Sequence, residues 1–268
     1  MSSTRVAIAG LGAIGRALAR RLAAGVPGVT LACVAARDRG KAQAWLDEQR
    51  LACPLVALDA LPLHADLAVE CAPAAVLEDI CRPMLAAGKR VMVLSAGALL
   101  PRPDLIALAQ AHGGQIIVPT GALLGLDAVS AAAEGTIHSV RMITRKPPAG
   151  LAGAPYLVRN GISVAGLNAA KCVFAGTARE AAAGFPENVN VVAALSLAGI
   201  GPDRTTIEIW ADPAVARNCH SIEVDSDSAR FSLAIENIPS ENPKTGRITA
   251  LSALAALRKL HAPLRVGT

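Results

Sequence analysis

A chain of 268 residues that is 53% hydrophobic and only 18% charged can bury a sizeable core, as one large domain or two modest ones. Arg, Asp, Glu or Lys interrupts each long apolar run well before the ~18 residues of a membrane span, and the opening "MSSTRVAIAGLG" enters a strand without the zones of a secretory signal. The expectation is a cytoplasmic protein with no membrane partner. A net charge of +5 without a basic block, and 2% aromatics, argue against nucleic acid and suit an anionic cofactor or a small acid. The six cysteines form no CxxC pair or metal-ligand spacing, so they are expected to be small core residues in a reducing compartment, with no metal.

Residues 1–119 alternate strand and helix signals. "RVAIAG" is a strand, and "AIGRALARRLAAG" sets Ile14, Leu18 and Leu22 at helical spacing before a stop at Gly25. A buried strand "VTLACVAA", a polar helix from about Arg39 to Gln49 and the strand "LAVECA" follow. A helix from about Ala74 to Ala87, the strand "RVMVLS", a helix from about Asp104 to His112 and the strand "QIIVP" complete the series. Strands spaced by helices predict a doubly wound parallel sheet.

Beyond Pro119 the pattern changes. "GALLGLDAVSAAAEG" reads as a helix, "TIHSVRMITRK" as a long strand and "PPAGLAGAPYL" as a loop. "GTAREAAAGFPENVNVVAALSLAGI" reads as two helices broken at Gly184 to Pro186. "RTTIEIWAD", "NCHSIEVDSD" and "ARFSLAIENIP" are strands, the last two an antiparallel hairpin. The expectation for 120–244 is an α+β domain with a mostly antiparallel, open-faced sheet serving substrate and dimerisation, while the helix of about 245–268 packs back on the first domain.

"GLGAIG", residues 10–15, ends a strand and opens a helix at the head of the α/β series. Gly10 suits a tight turn, Gly12 lets a pyrophosphate approach, and Gly15 lets helix and strand pack closely, with Ala13 and Ile14 between them at a helix N-terminus that attracts anions. This is the Rossmann dinucleotide fingerprint. "AARDRGK" at the end of the second strand offers Asp38 to a free ribose 2′-hydroxyl, but Arg37 and Arg39 flank it and an arginine suits a 2′-phosphate, so NAD and NADP both stay open. "CAPAAV" with Ala72, "LSAGAL" and "PTGALLG" lie where strands end in loops and offer small residues and free backbone amides.

"GLGAIG", "LSAGAL", "PTGALLGLDAV", "TRKPP", "FAGTAREAAAGFPENVNVVAALSLAG", "ARNCHSIEV" and "NPKTGRITALSAL" occur in this order, and nearly the whole chain resembles the L-aspartate dehydrogenase family. That resemblance implies NAD(P)-dependent oxidation of L-aspartate to iminoaspartate, which hydrolyses to oxaloacetate and ammonia, and the reverse reductive amination. It also implies a homodimer and a link to NAD biosynthesis. It places the catalytic histidine on His220 and the nicotinamide-side positions on Ala122 and Asn190.

Residue chemistry alone leaves His220 between two readings. Alternation along its strand sets it on the side of Ile222 and Val224, which fits a core histidine as well as a proton-handling group that either orients a carboxylate or acts as base. A dicarboxylate needs cations, and Arg145, Lys146, Lys171 and Lys244 stand in loops or at strand ends without a ranking among them. The rival readings are a dihydrodipicolinate reductase or homoserine dehydrogenase type of enzyme, and an NAD(H)-sensing protein without turnover.

Overall fold

The computed structural model describes residues 3–186, 189–240 and 246–267. It divides into two compact units. One runs to Pro119 and includes Ala250–Arg265, and the other spans Thr120–Thr249 with the residues from Val266.

The first unit contains β1 (Thr4–Ala9), α1 (Ala13–Ala23), β2 (Val29–Ala35), α2 (Arg39–Glu48), β3 (Leu55–Val56), α3 (Leu61–His64), β4 (Leu67–Glu70), α4 (Leu77–Ala86), β5 (Arg90–Val93), α5 (Pro103–His112) and β6 (Gln115–Ile117). Its six strands are all parallel, in the order β3-β2-β1-β4-β5-β6. The expected doubly wound sheet is therefore present. Both faces are buried, which is why the strands are almost unbroken apolar runs. Ala7, Ala9, Cys33 and Ala35 join a core with Ile80, Met84 and Leu105. Val6, Ile8 and Val34 join another with Leu18, Leu46 and, from the C-terminal helix α10 (Ile248–Lys259), Ala253, Leu254 and Leu257. β3 and α3 were not anticipated from sequence.

The second unit contains α6 (Leu126–Ala133), β7 (Ile137–Lys146), α7 (Pro155–Arg159), β8 (Lys171–Thr177), α8 (Ala178–Gly184), α9 (Asn190–Ala198), β9 (Thr205–Ala211), β10 (Asn218–Ser226) and β11 (Arg230–Asn237). Its sheet runs β11-β10-β7-β9-β8, antiparallel except for the parallel pair β7–β9. Val140, Met142, Ile207, Ile209, Ile222 and Val224 form the inner face and pack on Val129, Ala181, Val192 and Leu195 of the helices. The outer face is polar, with Arg141 pairing with Glu208 at 2.6 Å and Glu223 at 3.5 Å.

Three element boundaries need correcting in this unit. "PPAGLAGAPYL" is not all loop, because Pro155 starts α7 and Tyr156 sets its ring 5.1 Å from Phe174 and 5.4 Å from Phe185. Lys171–Thr177 forms the edge strand β8, and the following helix begins only at Ala178, where Thr177 and Glu180 form a reciprocal capping box. The helix expected from residue 121 starts at Leu126, after Gly125 with φ +68°. The cysteines are all free thiols, but Cys172 is exposed, against the expectation of a core residue.

Gly15 determines how closely α1 approaches β1. A Cβ there would overlap the Gly10 carbonyl oxygen and press on Ile8 Cγ2 at 3.3 Å. Gly15→Ala is expected to cost ~1–3 kcal/mol, the usual range for overpacking, lowering the melting temperature by roughly 3–10 °C. A thermal melt measures this directly.

Candidate active site

The cofactor side is built by the glycine-rich turn. Gly10 adopts φ +109°, and a Cβ there would lie 2.6 Å from the Cys71 carbonyl oxygen, so only glycine fits. Gly12 differs: a Cβ built on it meets nothing within 4 Å, so the turn opens onto free space at the N-terminus of α1. No side chain caps that helix and its first turn holds no acid, leaving the amide end of Ala13, Ile14 and Gly15 suited to an anion. These residues fit a dinucleotide pyrophosphate.

Around the adenosine end the structure refines the sequence reading. Asp38 is the N-cap of α2, accepting the Lys41 amide at 3.0 Å and pairing with the Lys41 ammonium at 3.4 Å. Arg39 donates to the Leu55 carbonyl at 2.8 Å, so it anchors β3. Arg37 is exposed beside them. Three of the amides in the loops after β4 and β5 are not free as expected. The N–H groups of Ala72, Leu94 and Ser95 all donate to the carboxylate of Glu70.

In the second unit the inner face of the sheet changes character at one end. Along β7 the inward positions run Val140, Met142, Thr144, Lys146, and along β10 they run Val224, Ile222, His220, Asn218. His220 pairs with Thr144 on one side and Ile235 on the other. Its Nδ1 is hydrogen bonded to the Thr144 hydroxyl at 2.7 Å, and both residues are buried. Lys146 is also buried, 4% exposed. Asn237, paired with Asn218, donates to the Ala122 carbonyl at 2.9 Å and so ties this expected nicotinamide-side residue to the same end of the sheet.

Burial controls the protonation of this patch. It lowers the Lys146 ammonium to about 8. Burial and the neighbouring Lys146 charge together lower His220 to about 3, so the imidazole is neutral at physiological pH.

The sequence candidates therefore separate. Lys146 joins His220. Arg145 points to the outer face, where it pairs with Asp212 at 3.1 Å and stacks on Trp210 at 4.9 Å, which excludes it from the patch. Lys171 shares a row with Ala211 and Lys146 but is exposed on the edge strand. Asn190 is half-buried at the first position of α9. Lys244 lies outside the described residues. Asn237 and Glu70 were missed from sequence.

A dinucleotide-binding parallel sheet joined to an α+β unit with a buried imidazole and ammonium defines a two-domain oxidoreductase class. The family model "Homoserine dehydrogenase, NAD binding domain" matches residues 10–119, and "Aspartate dehydrogenase, C-terminal" matches residues 127–260. The chain is 59% identical to L-aspartate dehydrogenase 3 of Bordetella bronchiseptica over 264 residues, covering 98% of this chain and 97% of that one. It is 58% identical to the L-aspartate dehydrogenase of Bradyrhizobium diazoefficiens over 267 residues, covering 100% and 95%. The crystal structure of aspartate dehydrogenase from Thermotoga maritima superposes with a TM-score of 0.77 at 25% identity, covering 98% of this chain and 99% of that one. The chain belongs to the L-aspartate dehydrogenase family.

The lysine makes a stability test possible. Its pKa falls from 10.5 unfolded to about 8 folded, so its stabilising share is complete only above the unfolded value and is lost as pH falls through the folded one. At neutral pH the buried ammonium therefore costs stability. Lys146→Met is expected to raise stability at pH 7 by ~1–3 kcal/mol, with the gain shrinking toward pH 10. Denaturant titrations at the two pH values check the sign.

Proposed function

We propose that this chain oxidises L-aspartate with NAD or NADP to iminoaspartate, which adds water to give oxaloacetate and ammonia, and that it catalyses the reverse reductive amination. The observation carrying this reading is the burial of Lys146 and His220 at one end of the same sheet face in a member of this family. The dinucleotide, held by Gly10, Gly12, Ala13, Ile14 and Gly15 with Arg37 and Asp38 near the adenosine ribose, supplies the hydride acceptor. Ala72, Ala122 and Asn190 complete the cofactor-facing set, Ala72 through atoms other than its engaged amide.

Lys146 offers a point charge to one substrate carboxylate, and a second cation comes from Lys171 or Lys244. His220 is the catalytic residue. Hydride leaves the α-carbon only when the amine carries a lone pair, and water adding to the imine carbon must lose a proton. A neutral imidazole has a lone pair free for either proton, and its lowered pKa argues against a protonated group that merely orients a carboxylate.

A homodimer belongs to the same reading. The outer face of the second sheet carries charges of both signs, which suits a self-complementary twofold contact. A cytoplasmic setting suits six free thiols, and iminoaspartate connects the reaction to NAD biosynthesis.

The test follows absorbance of reduced cofactor with purified protein. L-Aspartate is expected to turn over ~10²-fold faster than L-alanine, because a buried cation without its partner is costly. Comparable rates would remove the dicarboxylate reading. Preference for a larger substrate would favour the homoserine or dihydrodipicolinate types, and binding of NAD(H) without turnover would favour a sensor. His220→Ala is expected to lower kcat by ~10² or more while cofactor affinity holds. Activity that falls only with the folded fraction would make His220 a core residue.

A further inference from the structure

Glu70, the last residue of β4, is fully buried, with 0% exposure, at the carboxyl end of the first sheet. One carboxylate oxygen accepts the Ala72 amide at 3.1 Å and the Ser95 hydroxyl at 3.1 Å. The other accepts the Leu94 amide at 3.1 Å and the Ser95 amide at 2.8 Å. One side chain thus clamps the loop after β4 to the loop after β5. The glycine-rich turn is fitted to the same clamp, since a Cβ on Gly10 would lie 2.6 Å from the Cys71 oxygen and 2.8 Å from the Ala72 nitrogen.

Strand order reverses between β1 and β4, and in such sheets a dinucleotide lies across the carboxyl ends at the reversal, one mononucleotide over each half. Asp38, beyond the end of β2, marks the adenosine half. The nicotinamide half then falls to the loops after β4 and β5, the two that Glu70 joins. A tight-packing role alone would be served by an apolar residue. Burying a carboxylate costs free energy, and burial does push the Glu70 carboxyl up against the pull of its hydrogen bonds.

We propose that Glu70 is a positioning residue for the nicotinamide half of the cofactor. It fixes the Cys71–Ala72 and Leu94–Ser95 peptides so that their outward-facing atoms meet the nicotinamide ribose and ring. The proposal rests on the NAD(P) reading above. It assigns no role in proton transfer to Glu70.

Glu70→Gln keeps the shape but turns an amide NH2 toward donors that need an acceptor. ADP is NADH without its nicotinamide and the ribose that carries it, so titration calorimetry with NADH and ADP separates the two halves of the site. NADH affinity is expected to fall roughly tenfold, the scale of one lost hydrogen bond to a charged group, while ADP affinity stays within about twofold. A general loosening of the domain would weaken both ligands together, and that result, or no change in either, would overturn the proposal. Ser95→Ala, which removes one of the four bonds, gives the same comparison if Glu70→Gln does not fold. Failure of the wild-type chain to bind NADH and NADPH would remove the cofactor reading and this proposal together; normal wild-type binding with parallel losses in the variant would remove this proposal alone.

Discussion

The polar patch of the second unit depends on desolvation of charge at one end of an otherwise apolar sheet face. Val140 and Met142 are what the inner face of β7 needs for packing, whereas Thr144 and Lys146 continue the same row with groups that packing does not require. Burial lowers Lys146 to about 8, and its charge helps hold His220 near 3. On the proposed reading, a substrate carboxylate beside Lys146 acts against both shifts. The ammonium gains an opposite charge, and its field at the imidazole is offset. His220 then accepts a proton more readily with substrate bound than without it, so binding and proton transfer are coupled through one cation.

The α/β half was largely legible because strands buried on both faces are continuous apolar runs punctuated by helix signals. β3 and α3 escaped because a two-residue strand has no periodicity, and it is held by a tertiary bond from Arg39 to the Leu55 carbonyl. In the second half the Thr177-x-x-Glu180 spacing was a readable helix start that would have separated β8 from α8. α7 was hidden by surrounding Gly and Pro, and its stability comes from Tyr156 meeting Phe174 and Phe185, which no local pattern records.

The placement of the candidate residues followed the same division. His220 was legible from strand alternation, and alternation also separates Lys146 from Arg145 once Val140 and Met142 are taken as inward. Asn237 was not legible, because its partner, the Ala122 carbonyl, lies 115 residues away in sequence. Glu70 reads locally as the polar end of a strand. Its partners are three main-chain amides and the Ser95 hydroxyl, whose direction depends on the path of two loops, so a sequence suggests only that those amides are free.

Cofactor choice shows why a fingerprint residue needs its geometry. An acid near the end of β2 ordinarily favours NAD by bonding the ribose hydroxyls and repelling a 2′-phosphate. Here one Asp38 oxygen is already engaged by the Lys41 amide and the other by the Lys41 ammonium. The capping bond lowers its pKa, so the carboxylate stays ionised, but Lys41 offsets much of its field in water. Arg37 stands exposed beside it, a donor fork that matches phosphate geometry. The repulsive element is thus weakened and an attractive one stands next to it, while the carboxylate can still accept a hydroxyl through a lone pair that Lys41 does not use. Discrimination between the two cofactors needs both a contact that rewards one and a contact that penalises the other. On the proposed reading, the penalty muted by Lys41 leaves the site open to either cofactor.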